Sequence, residues 1–62
     1  MSVEKIRQYR EQLGITQKQL ANRLGIDRSM IAKWEIGVNK PRADRLVKLA
    51  EIFQCSVDEL FK

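Results

Sequence analysis

The sequence contains no histidine and a single cysteine, Cys55. An imidazole base is therefore out of reach for catalysis, and a four-ligand structural zinc site is close to excluded. One cysteine makes no internal disulfide, which fits a reducing compartment. There is one proline, and no apolar run approaches membrane-spanning length. The Met-Ser start lacks the apolar core of a signal peptide. Together these absences lead us to expect a cytoplasmic protein without a membrane role, a metal or another cofactor. Strand signals, repeats, low-complexity segments and linkers are also missing. There is no Gly-rich phosphate loop, and Ser2, Thr16, Ser29 and Ser56 have no histidine to activate them. The carboxylates are mostly accounted for as caps or ion-pair partners. No enzyme is expected.

What is present fits one small domain. Sixty-two residues, taken as a single domain over 1–62, leave no room for a second core or a buried catalytic cavity. A composition of 44% hydrophobic and 32% charged residues is globular rather than disordered. Such a chain must rely on well-packed helices or on a partner chain. The net charge of +4 is unevenly spread: residues 1–45 hold ten Lys/Arg against five Asp/Glu, and residues 46–62 hold two against three. The basic part suits a polyanion, although on charge alone a solvated basic surface is an equal alternative.

The stretch from Thr16 to Ile36, TQKQLANRLGIDRSMIAKWEI, organises the rest. Thr16 and Gln19 have capping-box spacing, and Ile15 and Leu20 are placed as a hydrophobic staple. Asp27 is expected to cap a second helix, with Ile26 and Ile31 as its staple. Gly25 sits where the first of these helices must stop. Two capped helices, a glycine turn and a basic second helix spell helix-turn-helix.

Around this unit the periodicity predicts three more helices. The first runs from a Ser2 cap to about Gln12, with Val3, Ile6 and Leu13 on one face and Tyr9 and Arg10 beside it. Helix two spans about Gln17 to Leu24 and helix three about Arg28 to Ile36. Pro41 suits the start of helix four, about Ala43 to Gln54, whose apolar face holds Ala43, Leu46, Val47, Leu49, Ala50 and Phe53. Ser56 and Glu59 form a second capping box for a short helix through Phe61. The fold class is all-α, a compact five-helix domain.

At about 100° per residue, Arg28, Ser29, Ala32, Lys33 and Ile36 fall within an arc of about 140° on helix three. Ile31 and Trp34 lie opposite and are expected in the core. Two long cations, a hydroxyl and a small alanine suit the reading of base edges in a major groove. An ordinary solvated helix face is the plainer alternative. Met30, at the edge of the arc, could meet a thymine methyl or fill the core. Ile36 closes the helix and is expected to pack. Tyr9 is open between a core edge and a phosphate contact. Gln17 opens helix two, where free N–H groups favour an anion.

The run IRQYREQLGITQKQLANRLGIDRSMIAKWEIG, followed by KPRADRLVKLAEIF and SVDELF, resembles the lambda-repressor-like DNA-binding domains of the Xre/Cro family over nearly the whole chain. The resemblance implies a sequence-specific transcriptional regulator that binds double-stranded operator DNA, as a repressor and as a homodimer, with helix three in the major groove. It implies base reading by Arg28, Ser29 and Lys33. It also implies phosphate contacts from Gln17 and from Asn39, Lys40 and Arg42 in the loop after helix three. Arg10 and Glu35 match family positions that pair across the domain. The family tends to dimerise through its C-terminal region. This directs attention to Ile52, expected off the apolar face among Arg45, Lys48 and Glu51, and to Val57 and Phe61. Arg42 departs from the Ser or Thr that often caps helix four, so a weaker cap is expected. A rival reading on the same fold is an antitoxin or adaptor whose main partner is another protein, and a regulatory protein partner stays open.

Overall fold

A computed structural model describes residues 4–61, and the side chains of residues 5–60. It contains five helices: α1 (Glu4–Leu13), α2 (Gln17–Leu24), α3 (Arg28–Ile36), α4 (Ala43–Phe53) and α5 (Val57–Phe61). No strand occurs among the described residues. None of the helices is long and apolar enough to cross a membrane. The expected caps at Ser2 and the Val3 contribution to α1 lie outside the described residues.

The helix ends follow local chemistry. Thr16 Oγ1 accepts from the Gln19 N–H at 3.0 Å while Gln19 Oε1 accepts from the Thr16 N–H at 2.8 Å. The Ser56–Glu59 box closes in the same way, at 3.2 and 2.9 Å. At Gly25, φ is 71°, and the Ile26 N–H reaches back to the Ala21 carbonyl at 3.0 Å, so the turn demands a left-handed residue. Asp27 differs from expectation. It has N-cap backbone angles, but its side chain makes no capping hydrogen bond. Arg42 likewise caps α4 by position alone. Gln54, expected inside the fourth helix, is its C-cap at φ 56°, a left-handed non-glycine.

Apolar stripes from all five helices meet in one core. Ile6 of α1, Leu20, Ala21 and Leu24 of α2, Ile31 and Trp34 of α3, Leu49, Ala50 and Phe53 of α4 and Leu60 of α5 are buried together. The α2 and α3 helices pack on one another, α1 backs α3, and α4 and α5 close the other side. Burying each large apolar side chain contributes about 1.5–3 kcal/mol, so this shared core holds the helix-turn-helix rigid. Tyr9 resolves as a core edge, its ring stacked on Phe53 with centroids 5.4 Å apart.

Several positions face outward that periodicity assigned inward. Leu13, Ala43 and Val47 are exposed, because the helices covering α1 and α4 are shorter than the stripes they cover. Ile36 is 74% exposed, since α3 ends there and nothing packs over its last residue. Ile52 errs in the other direction. It is half-buried and packs with Val57 against the core, because α5 folds back over that side of α4.

Candidate nucleic-acid interface

Helix α3 is anchored on one side and open on the other. Ile31 is fully buried and Trp34 is 2% exposed, whereas Arg28, Ser29 and Lys33 are exposed. The outward arc is therefore held at fixed height and rotation by two core side chains one turn apart. It presents two cations and a hydroxyl with the half-buried Ala32 between them. Met30, at the edge of the arc, is 38% exposed and belongs wholly to neither the core nor the open face.

A chain of hydrogen bonds runs from the inside of the domain to this arc. Arg10 Nε donates to Glu35 Oε2 at 2.7 Å and Arg10 Nη2 to Glu35 Oε1 at 3.2 Å, a bidentate pair. Arg10 Nη1 also donates to the Ile15 carbonyl at 2.9 Å, tying α1 to the residue just before α2. The pair is sheltered, with the Arg10 and Glu35 side chains 13% and 5% exposed. Accepting these bonds, Glu35 holds the Arg10 guanidinium above its ordinary pKa, against the opposing effect of burial. Gln17 Nε2 donates to Glu35 Oε1 at 3.0 Å, and Gln17 Oε1 accepts from Arg28 Nη1 at 3.0 Å. Arg28 is thus tethered through Gln17 and Glu35 to Arg10.

This network fixes which atoms are left for a ligand. The Gln17 amide is oriented by its two partners, which leaves one side-chain N–H and its helix-start backbone N–H. Arg28 uses one Nη, and the Nε and other Nη edge of its fork stays available for two parallel hydrogen bonds. Asn39, Lys40 and Arg42 are exposed along the loop and the start of α4, on a different flank from Gln17. The sequence showed no sign of two features. One is the linkage of Gln17 to both Arg28 and Glu35, which requires the α2–α3 crossing. The other is Arg45, which is half-buried and donates from Nη1 to the Leu24 carbonyl at 3.2 Å, capping the C-terminal end of α2 from α4. Of the residues expected at a two-fold contact, Ile52 and Val57 are half-buried, and the Phe61 side chain lies outside the described residues.

The family's sequence profile, described as helix-turn-helix, matches residues 6–60. The chain belongs to the helix-turn-helix family. Its fold is shared with the DNA-binding domain of the P22 c2 repressor in solution, at a TM-score of 0.89 and 35% identity over 97% of this chain and 79% of that one. The crystal structure of the P22 c2 repressor with a synthetic operator superposes with a TM-score of 0.88 at 34% identity, covering 94% of this chain and 88% of that one. Among curated relatives, the transcriptional activator BcrR of Enterococcus faecalis is 39% identical over 92% of this chain. The phage repressor RstR of Vibrio cholerae is 35% identical over 92% of this chain. An uncharacterized transcriptional regulator of Archaeoglobus fulgidus is 33% identical over 92% of this chain and 81% of its own length. This helix-turn-helix chain spans only 28% of BcrR and 51% of RstR.

Proposed function

We propose that this helix-turn-helix domain is a sequence-specific, DNA-binding transcriptional regulator that acts in the cytoplasm. It places α3 in the major groove and works as a homodimer on a two-fold operator, where it represses. The observation that carries this is the division of α3: Ile31 and Trp34 are buried, while Arg28, Ser29 and Lys33 stand exposed on the opposite arc. The likeness to a repressor solved with operator DNA supports the same reading.

In this reading Arg28 pairs with guanine O6 and N7 through the edge of its fork that Gln17 leaves free. Ser29 and Lys33 meet neighbouring base pairs. Gln17 binds a backbone phosphate through its remaining N–H groups, and Asn39, Lys40 and Arg42 bind phosphates on the other flank. The two-fold contact uses Ile52, Val57 and Phe61.

The test selects duplexes from random sequence, then measures affinity for the best site and its single-base variants across a salt series. Arg28→Ala should cost about 1–3 kcal/mol on the best site and relax preference at one base pair. Lys40→Ala should weaken all sequences alike and lower the salt slope by about one unit per bound subunit. An intact preference in Arg28→Ala would show that the reading face is misassigned. Sedimentation of Ile52→Lys tests the dimer, which should dissociate to monomer; an unchanged mass moves the contact to another surface.

A further inference from the structure

Beside the reading face, a cleft of about 350 Å³ opens between α3, the following loop and the start of α4. Met30 and Trp34 line it from α3, Asn39 and Lys40 from the loop, and Arg42 and Arg45 from the far side. Three of these six residues are cations and none is acidic. Among the described residues, none of the three cations forms an ion pair with a carboxylate. Like charges gathered around one hollow repel, and an anion between them relieves that repulsion.

Arg45 makes the cleft more than a set of surface cations. It is half-buried, and its Nη1 is held on the Leu24 carbonyl. That bond pre-orients the guanidinium, so a second partner meets a fork whose ordering is already complete. The remaining N–H donors suit a tetrahedral oxyanion, which accepts parallel bonds from a planar fork. Lys40 and Arg42 are exposed and free to close on the same group. The apolar side of the cleft, Trp34 and Met30, keeps water away from part of it and strengthens charge pairing. The Asn39 amide adds a neutral donor and acceptor.

We infer that this cleft binds a phosphoryl-type oxyanion, with Arg45 as the fixed fork and Lys40 and Arg42 as closing arms. Two sources carry that chemistry: a backbone phosphate of the duplex, or a phosphorylated small molecule that would compete with it. The first source rests on the DNA-binding reading above; the second does not.

Trp34 is the chain's single tryptophan, so its fluorescence reports on the cleft. The first arm titrates the protein with inorganic phosphate and pyrophosphate against sodium chloride at matched ionic strength. The second arm measures duplex affinity across a salt series. Both use wild type, Arg45→Gln, Arg45→Lys and the double variant Lys40→Gln/Arg42→Gln, each first checked for a cooperative thermal melt. If Arg45→Gln does not fold, the double variant carries the test, since both of its sites are exposed. The expected result is a saturable fluorescence change that weakens at least tenfold in Arg45→Gln and in the double variant, and less in Arg45→Lys. A DNA source would also lower the salt slope by about 0.9 per bound subunit in Arg45→Gln. A response to free phosphate with an unchanged slope assigns the cleft to a small molecule. A lowered slope without a response to free phosphate assigns it to the DNA backbone. No saturable response together with an unchanged slope overturns the proposal, as does a response indifferent to all these substitutions. If the domain binds no duplex at all, the DNA reading fails, and the phosphate arm still decides the cleft.

Discussion

Replacing Glu35 with alanine removes the acceptor of three hydrogen bonds at once: two from Arg10 and one from Gln17. The Arg10 guanidinium then keeps only the Ile15 carbonyl, in a site where its side chain is 13% exposed. Stranding one member of a buried ion pair costs about 3–5 kcal/mol. The residual exposure of Arg10 gives it a path to water, which places the expected loss near the lower end, about 3 kcal/mol. For a domain of this size each kcal/mol shifts the melting temperature by about 4–8 °C, so Tm should fall by about 12–24 °C. The assay is thermal unfolding followed by circular dichroism, at fixed protein concentration and with Arg10→Met, Glu35→Ala and the double variant in one cycle. The coupling between the two sites should be large and favourable, and the double variant should be less damaged than Glu35→Ala alone, because no charge is left unpaired. A Tm for Glu35→Ala within about a degree of wild type would refute the reasoning, since even one net hydrogen bond to a charged group is worth about 1.5–3 kcal/mol.

Three further outcomes follow from the local geometry. Thr16→Ala should cost about 1 kcal/mol in chemical denaturation, whereas Asp27→Ala should cost a few tenths at most, because only Thr16 makes a capping bond. Gln54→Gly should raise stability by up to about 1 kcal/mol, since glycine takes the left-handed cap without the Cβ penalty. In alkali, burial and the nearby Glu59 carboxylate raise the Tyr9 phenol and the Cys55 thiol above their ordinary values of 10.0 and 9.0. The folded state therefore prefers both groups protonated: their contribution is fully present below pH 9.0 and is lost as pH rises through the raised values. Melts from pH 7 to 11 should show that loss, and Tyr9→Phe should flatten it.

Much of this domain was legible in the sequence because its signals are local. A capping box, a glycine after the last helical residue and a 3.6-residue apolar period each act within a few positions. They place α2, α3 and α5 at their observed bounds. The family motif covered the rest, including the alignment of Arg10 with Glu35. What sequence could not decide depends on which helix covers which. Ile36 and Val47 carry apolar side chains at helical spacing and still face solvent, because α3 ends and α4 is covered on one side only. Ile52 looked exposed on its own helix and is half-buried because α5 returns over it. The Asp27 and Arg42 side chains follow the same logic: a capping position is local, but whether a side chain uses it depends on its alternatives. The tether from Arg28 through Gln17 and Glu35 to Arg10 and the clasp of Arg45 on Leu24 join residues 7–25 positions apart in successive links. Helical periodicity sees along one helix, and such links exist only once the helices have crossed.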